Sequence, residues 1–250
     1  MPYGLYISAE GAQVQSKRLE VLANNLANVD TTGFKRDLAI CQARLTEANV
    51  LGQDFPGSRS INDLSGGVQV AGTTTDFSMG PLKVTGQKTD LAIKGDGFFV
   101  VEKNGKEHLT RAGNFQFDAT GKLVNSDGYA VLNDQGQPIA LDPEGGPFQF
   151  TPDGSLVQAG SANFLKMVMP RSLGDLVKVG ENLFAPLAAT RPLEPPQRNV
   201  GSGMLEGSGV KPTLEMMTLI ECSRAFEANT NMIKHQDTML GSLISRVLKD

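Results

Sequence analysis

Residues Ala23–Arg36 read ANNLANVDTTGFKR, and the reading of this stretch decides where the first element ends and what kind of chain follows. Upstream of it Leu5, Ala12, Leu19 and Leu26 recur every seven residues, with Leu22 and Val29 three places after the last two, a stripe that predicts a helix. Pro2 suits the helix start and Gly33, after Asp30-Thr31-Thr32, suits its stop. Such a helix is about 45 Å long at ~1.5 Å per residue. Asn24, Asn25 and Asn28 are poor helix formers, because their amides compete for nearby backbone groups. Three of them at one helix end predict partners outside the helix.

Working outward, the far end of the chain repeats the pattern. Leu219, Phe226, Ile233, Leu240 and Val247 fall at strict sevens. Pro212-Thr213 marks the helix entrance, with Thr213 as the cap. The companion positions are Cys222, Asn229, Gln236 and Leu243, or Ser223, Thr230, Asp237 and Ile244, so the seam is half polar. A narrow apolar stripe on a long helix predicts a need for partners. Two arrangements fit it: pairing of the two terminal helices within one chain, and packing between chains, which the polar companions favour.

Between the helices the period switches to two. Leu91–Ile93, Phe98–Val101, Phe115–Phe117, Lys122–Val124, Tyr129–Leu132, Phe148–Phe150 and Ser155–Val157 read as strands, with more expected in Phe164–Met169 and around Asn182–Phe184. Turn pairs separate them: Asn104-Gly105, Thr120-Gly121, Asp127-Gly128, Gln135-Gly136, Gly145-Gly146 and Asp153-Gly154. The expected fold class is mainly β, a hairpin-rich all-β central domain flanked by N- and C-terminal α-helices that pair in the assembled state. The expected division is an N-terminal helix and signature over 1–36, an extended linker or arm over 37–80, a β-rich domain over 81–190, a Pro-rich connector over 191–213 and a C-terminal helix over 214–250.

Composition narrows the function. With 40% hydrophobic and 20% charged residues in 250, the chain is of ordinary globular character. Its 23 basic and 27 acidic residues leave no positive field to hold nucleic acid or an anionic membrane. No segment has the ~20 apolar residues of a membrane span, and MPYGLYISAEGAQVQSKRLE lacks the basic start and long apolar run of a cleaved secretory signal. Cys41 and Cys222 show no metal or redox spacing. His108 and His235 lie far apart in sequence with no nucleophile motif beside them, and read as surface or packing residues. Gly95-Asp96-Gly97-Phe98-Phe99 lacks the spacing of a phosphate loop and leads into a strand, so it reads as a turn. Asp118 and Asp153 do not follow a calcium-loop spacing, and no two of Asp76, Asp90, Glu102 and Asp127 are singled out as a catalytic pair. The expectation is no catalytic residue, no cofactor and no metal: not an enzyme.

Heptads at both ends, a hairpin-rich middle and no catalytic set lead to a resemblance. ANNLANVDTTGFKR resembles the N-terminal signature of the bacterial flagellar axial proteins of rod and hook. LAIKGDGFFVV (91–101), LTRAGNFQFDATGKLV (109–124) and SDGYAVL (126–132) are similar to the rod branch, and GMLEGSGVKPTLEMMTLIECSRAFEANTNMI (203–233) to the C-terminal signature. Length and LEGSGVKP resemble the proximal-rod branch more than the distal-rod one. Family members usually carry Asn before the Val of that stretch, where this chain has Gly209; glycine reaches the same left-handed conformations.

The resemblance implies a structural rod subunit exported by the flagellar type III apparatus without signal cleavage, with terminal helices mobile until they pack among neighbouring rod and hook subunits. The residues it marks for assembly are Leu5, Ala12, Leu19, Asn24, Asn25, Leu26, Asn28, Phe34, Leu219, Phe226, Ile233, Leu240 and Val247. It also implies that the three asparagines exchange hydrogen bonds with adjoining subunits. Distal-rod or hook placement, a surface β-domain binding glycan or protein, and a wall-cleaving enzyme are the alternatives.

Overall fold

The computed structural model describes residues 3–55, 57–60, 66–142 and 145–248; the helix start expected at Pro2 lies outside them. The chain divides into two compact units. One comprises 1–27, 37–75 and 211–250, the other 28–36 and 76–210. This differs from the expected five-part division, since 37–75 groups with the terminal helices, and nine residues of the signature group with the β-strands.

In the helical unit, α1 (Tyr3–Ala27) packs against α3 (Pro212–Val247). The expected linker instead contains an antiparallel pair, β1 (Asp37–Ala43) with β2 (Val68–Thr75), and a one-turn α2 (Glu47–Val50). Both strands contact α1. α1 stops at Ala27, earlier than the heptad suggested, and Asn28–Thr32 are turn and bend. Thr213 is not the cap of α3: Lys211 holds that position with no side-chain cap, and Pro212, whose missing donor costs nothing there, opens the helix.

The β unit holds β3 (Leu82–Val84), β4 (Leu91–Ile93), β5 (Phe98–Lys103), β6 (Lys106–Thr110), β7 (Gln116–Phe117), β8 (Leu123–Val124), β9 (Ala130–Val131), β10 (Phe148–Phe150), β11 (Ser155–Gln158), β12 (Ser161–Phe164), β13 (Met167–Met169), β14 (Leu176–Gly180), β15 (Leu183–Pro186), β16 (Arg191–Pro192), β17 (Val200–Ser202) and β18 (Met204–Glu206). The principal sheet runs β14-β15-β6-β5-β9-β8-β7, with β13 also on β5 and β16 on β13. The β5–β6 hairpin turns at Asn104 (φ 54°) and Gly105 (φ 74°), the left-handed pair that matches strand twist.

Strand β5 explains the core. Phe98, Phe99, Val100 and Val101 are all at most 1% exposed. Alternate residues enter opposite layers, Phe99 and Val101 joining Phe115, Leu123 and Leu165, and Phe98 and Val100 joining Leu109, Val168 and Phe184. An unbroken apolar run is what a strand covered on both faces requires. The segment 191–210 is no connector: Leu193, Arg198, Val200 and Glu206 are buried, and β17 and β18 pair with β4 and β3.

Candidate assembly surfaces and the signature joint

The seam between α1 and α3 is built from small residues facing amides. A Cβ added to Gly4 would lie 3.0 Å from the Gln236 Nε2, and one added to Gly11 would lie 3.0 Å from the Asn229 Oδ1. These contacts, each seven residues apart on its helix, define an antiparallel heptad register. Carried on, it sets Arg18 against Cys222 and Asn25 against Glu215, and Cys222 and Glu215 are both buried on α3. The polar companions seen in the sequence thus meet glycines of the same chain. Without a side chain on α1 the helices approach closely, and the amides fill the space. Gln236 Oε1 is buried there without a hydrogen-bond partner among the described residues.

Apart from Asn24 and Asn28, the side chains expected to mediate assembly divide into three groups. Ala12 is buried, while Leu5, Leu19 and Leu26 on α1, and Leu219, Phe226, Ile233 and Leu240 on α3, are partly covered. Val247 is 75% exposed. Asn25 and Phe34 form the third group, both enclosed by their own chain.

Asn25 is 1% exposed. Its Nδ2 donates to the Asp37 carbonyl at 2.8 Å and its Oδ1 accepts from the Asp37 N–H at 2.9 Å. A side-chain amide presents one donor and one acceptor side by side, which matches the two polar groups of one extended residue. The amide therefore joins the end of α1 to the start of β1, inside this chain. Asn28 Oδ1 accepts from the Thr31 hydroxyl at 3.1 Å, a local turn contact, and Asn24 is exposed.

The second half of the signature is fixed in the β unit. Gly33 has φ 66° and donates to the Glu206 carbonyl at 2.7 Å; a Cβ there would sit 2.5 Å from the Arg111 carbonyl carbon, so only glycine fits. Phe34 is 7% exposed, its ring faced by the Lys178 ammonium at 4.3 Å, and its carbonyl accepts from the Gly209 N–H at 2.9 Å. Gly209 does not use the left-handed conformation open to glycine. A Cβ there would make only ordinary contacts, 3.6 Å from the Phe34 oxygen, and Ser208 Oγ accepts from the Val210 N–H at 3.3 Å.

Lys35, which its place in the sequence does not single out, is the most consequential residue of the stretch. Its side chain is 1% exposed. Its ammonium donates to Glu206 Oε1 at 2.6 Å and to the Ser78 carbonyl at 2.8 Å. Glu206 Oε1 also accepts from the Gly80 N–H at 2.9 Å, and Arg111 Nη1 lies 3.4 Å from Oε2. Burial pulls the Lys35 ammonium below its ordinary 10.5, opposed by the hydrogen bond and charge of Glu206. Burial likewise lowers Arg111, again opposed by Glu206. One carboxylate thus holds two buried cations and ties together 33–36, 78–80 and 206–209. The two signature stretches, about 170 residues apart in sequence, are one joint.

The acid-base candidates do not converge. Asp76 pairs with Arg36, Asp90 accepts from Thr85 Oγ1 at 2.6 Å, and Asp127 accepts from Asn125 in a turn. His108 is partly covered in β6 and His235 is exposed on α3. Among the described residues no group of three or more His, Cys, Asp or Glu is arranged to hold a metal, and no helix is long and apolar enough to cross a membrane.

Comparison with known proteins agrees with this layout. Family profiles described as flagella basal body rod protein, flagellar hook protein FlgE/F/G D1 domain and flagellar basal body rod FlgEFG protein C-terminal match residues 5–35, 92–166 and 202–246. The flagellar basal-body rod protein FlgF of Caulobacter vibrioides is 34% identical over all of this chain and 99% of its own length. The FlgG rod proteins of Bacillus subtilis (32% identical; 96% of this chain, 97% of that protein) and Agrobacterium fabrum (33%; 98% and 99%) are close behind. The chain belongs to the flagellar basal-body rod protein family and is a structural subunit of the rod, FlgF-like among its relatives.

Proposed function

We propose that the chain occupies the proximal rod and joins its neighbours through outward faces of the helical unit. The observation that supports this is apolar surface on α3 outside the intrachain seam. Met216, Met217, Ile220, Met232 and Met239 are 47–61% exposed. These side chains are spread along the helix away from that seam, and a repeated heterologous contact between subunits closes such surface into a helical array. Export by the flagellar type III apparatus without a cleaved signal, placement in the periplasmic span of the basal body, and a purely structural role without catalysis complete the reading. The half-polar seam fits it physically, because a weakly held helix pair opens readily for passage through a narrow channel.

An epitope placed at the exposed Asn104-Gly105 turn tests it. In cells that swim, the tag should co-purify with basal bodies, including those blocked before hook growth. Swimming cells whose basal bodies lack the tag would overturn the placement.

A further inference from the structure

Four of the chain's nine methionines lie on α3, and all four open outward. Met216, Met217, Met232 and Met239 are 47%, 57%, 54% and 61% exposed. Met232 and Met239 follow the seam amides Asn229 and Gln236 by three residues each, so their thioethers stand one heptad apart on a single face outside the intrachain contact. In the β unit Met79 and Met169 are 54% and 39% exposed, whereas Met167 is fully buried in the core.

A thioether has no proton to lose, so its reaction with a peroxide is governed by how easily the oxidant reaches sulfur. Sulfur attacks the O–O bond of hydrogen peroxide; an S–O bond forms as the O–O bond breaks, and proton transfer lets the second oxygen leave as water. Sulfur is oxidised by two electrons and the peroxide is reduced by two, giving methionine sulfoxide. The new oxygen is polar and accepts hydrogen bonds, which water satisfies in the free chain and an apolar contact does not.

We infer that the four methionines of α3 form a peroxide-modification site that sorts chains before assembly: a chain oxidised there keeps its fold and is excluded from the rod. The fold tolerates the change because these side chains face solvent and leave the Gly4 and Gly11 contacts untouched. Sulfoxide is reversible by methionine sulfoxide reductase, so an excluded chain can be recovered. The inference rests on the rod reading and adds a chemical control to it.

The test uses cells that lack methionine sulfoxide reductase and hold the full-length Cys41→Ser chain, free of its exposed thiol, with flagellar export switched off. A hydrogen peroxide pulse is set so that most oxidised chains carry a single sulfoxide. After the peroxide is removed export is switched on, and peptide mass spectrometry maps sulfoxide in the cellular pool and in purified basal bodies. In the pool, the four α3 positions, Met79 and Met169 should each be at least tenfold more oxidised than Met167. Basal bodies should match the pool at Met79 and Met169 and show at least tenfold less sulfoxide on α3. Equal sulfoxide on α3 in pool and basal bodies would overturn the inference and leave the rod reading intact, whereas absence of the chain from basal bodies of unpulsed cells would overturn both. Depletion at Met79 and Met169 as deep as on α3, or loss of the helical melting transition in the purified oxidised chain, would mean that damaged chains are rejected in general, and overturns the inference as well.

Discussion

Glu206→Ala is the sharpest perturbation of the signature joint. The wild-type carboxylate sits 2.6 Å from the Lys35 ammonium and 3.4 Å from Arg111, with Glu206 and Lys35 1% exposed. Removing it leaves two buried cations without their counter-ion and takes an acceptor from the Gly80 N–H. Breaking a buried pair from one side costs roughly 3–5 kcal/mol, mainly because the remaining charge stays desolvated. At about 1.4 kcal/mol per factor of ten, the open population of the β unit should rise by roughly two to three and a half orders of magnitude. Native-state hydrogen exchange at the β5 and β6 amides, which belong to that unit alone, reads this directly. The neutral combination Glu206→Leu, Lys35→Met and Arg111→Met should recover most of the loss, since similar-volume apolar residues replace buried ion groups at little cost. A Glu206→Ala effect below about 1 kcal/mol would refute the argument, because it would mean that the cations reach water and that the joint is not sealed.

Three further outcomes follow from the same structure. Asn25→Ala strips both partners from the Asp37 backbone and should raise exchange at the first β1 amides by the equivalent of about 1–3 kcal/mol; unchanged exchange would mean that Asn25 does not hold the strand. Gly33→Ala should cost at least ~1–3 kcal/mol in backbone strain, with the Arg111 backbone contact added, as read from the urea midpoint of the β unit; a wild-type midpoint would show that the turn rearranges freely. The Thr120 hydroxyl, followed by backbone N–H groups, holds Asp118 below its ordinary 3.8. A carboxylate lowered in the folded state adds stability that is present above the unfolded value and is lost as pH falls through the folded one. Asp118→Asn should therefore flatten the fall in stability below about pH 4; an unaltered acid limb would remove Asp118 from that transition.

The sequence showed the β core and the terminal helices because their signals are local. Phe98–Val101 is a continuous apolar run, and turn glycines such as Gly105 and Gly121 stand where the backbone has positive φ. The β1–β2 pair was hidden for two reasons. About two dozen residues separate its strands, so no turn signal links them, and most of their side chains stay exposed, which blurs the period-two pattern. Short β17 and β18 were hidden by the Pro-rich run before them. The joint was illegible for a different reason: Lys35 and Arg36 are adjacent basic residues, yet one is sealed by a carboxylate distant in sequence and the other only partly covered. Burial of a charge depends on its partner, and spacing along the chain does not identify that partner. Asn25 stood in plain view as an anomaly in a helix, but whether its amide would meet its own chain or a neighbour's depended on where Asp37 returns.

Gln236 separates two explanations of the half-polar seam. If polarity there were incidental, Gln236→Leu would stabilise the pair and leave assembly alone. The structure makes the first half of that outcome expected: Oε1 is buried without a partner among the described residues, so its removal should strengthen helix pairing by about 1–3 kcal/mol, visible as a rise in the helical melting transition. The second half should fail. The amide meets Gly4, and a buried polar side chain at one position fixes register at some expense of stability. With leucine in its place the pair can slide by a turn or associate before export, so basal-body incorporation and swimming should drop while the melting temperature rises. A variant that melts higher and swims normally would remove the register role of Gln236. One that melts lower would show that Oε1 finds water, and that the seam is looser than the approach of Gly4 and Gly11 implies.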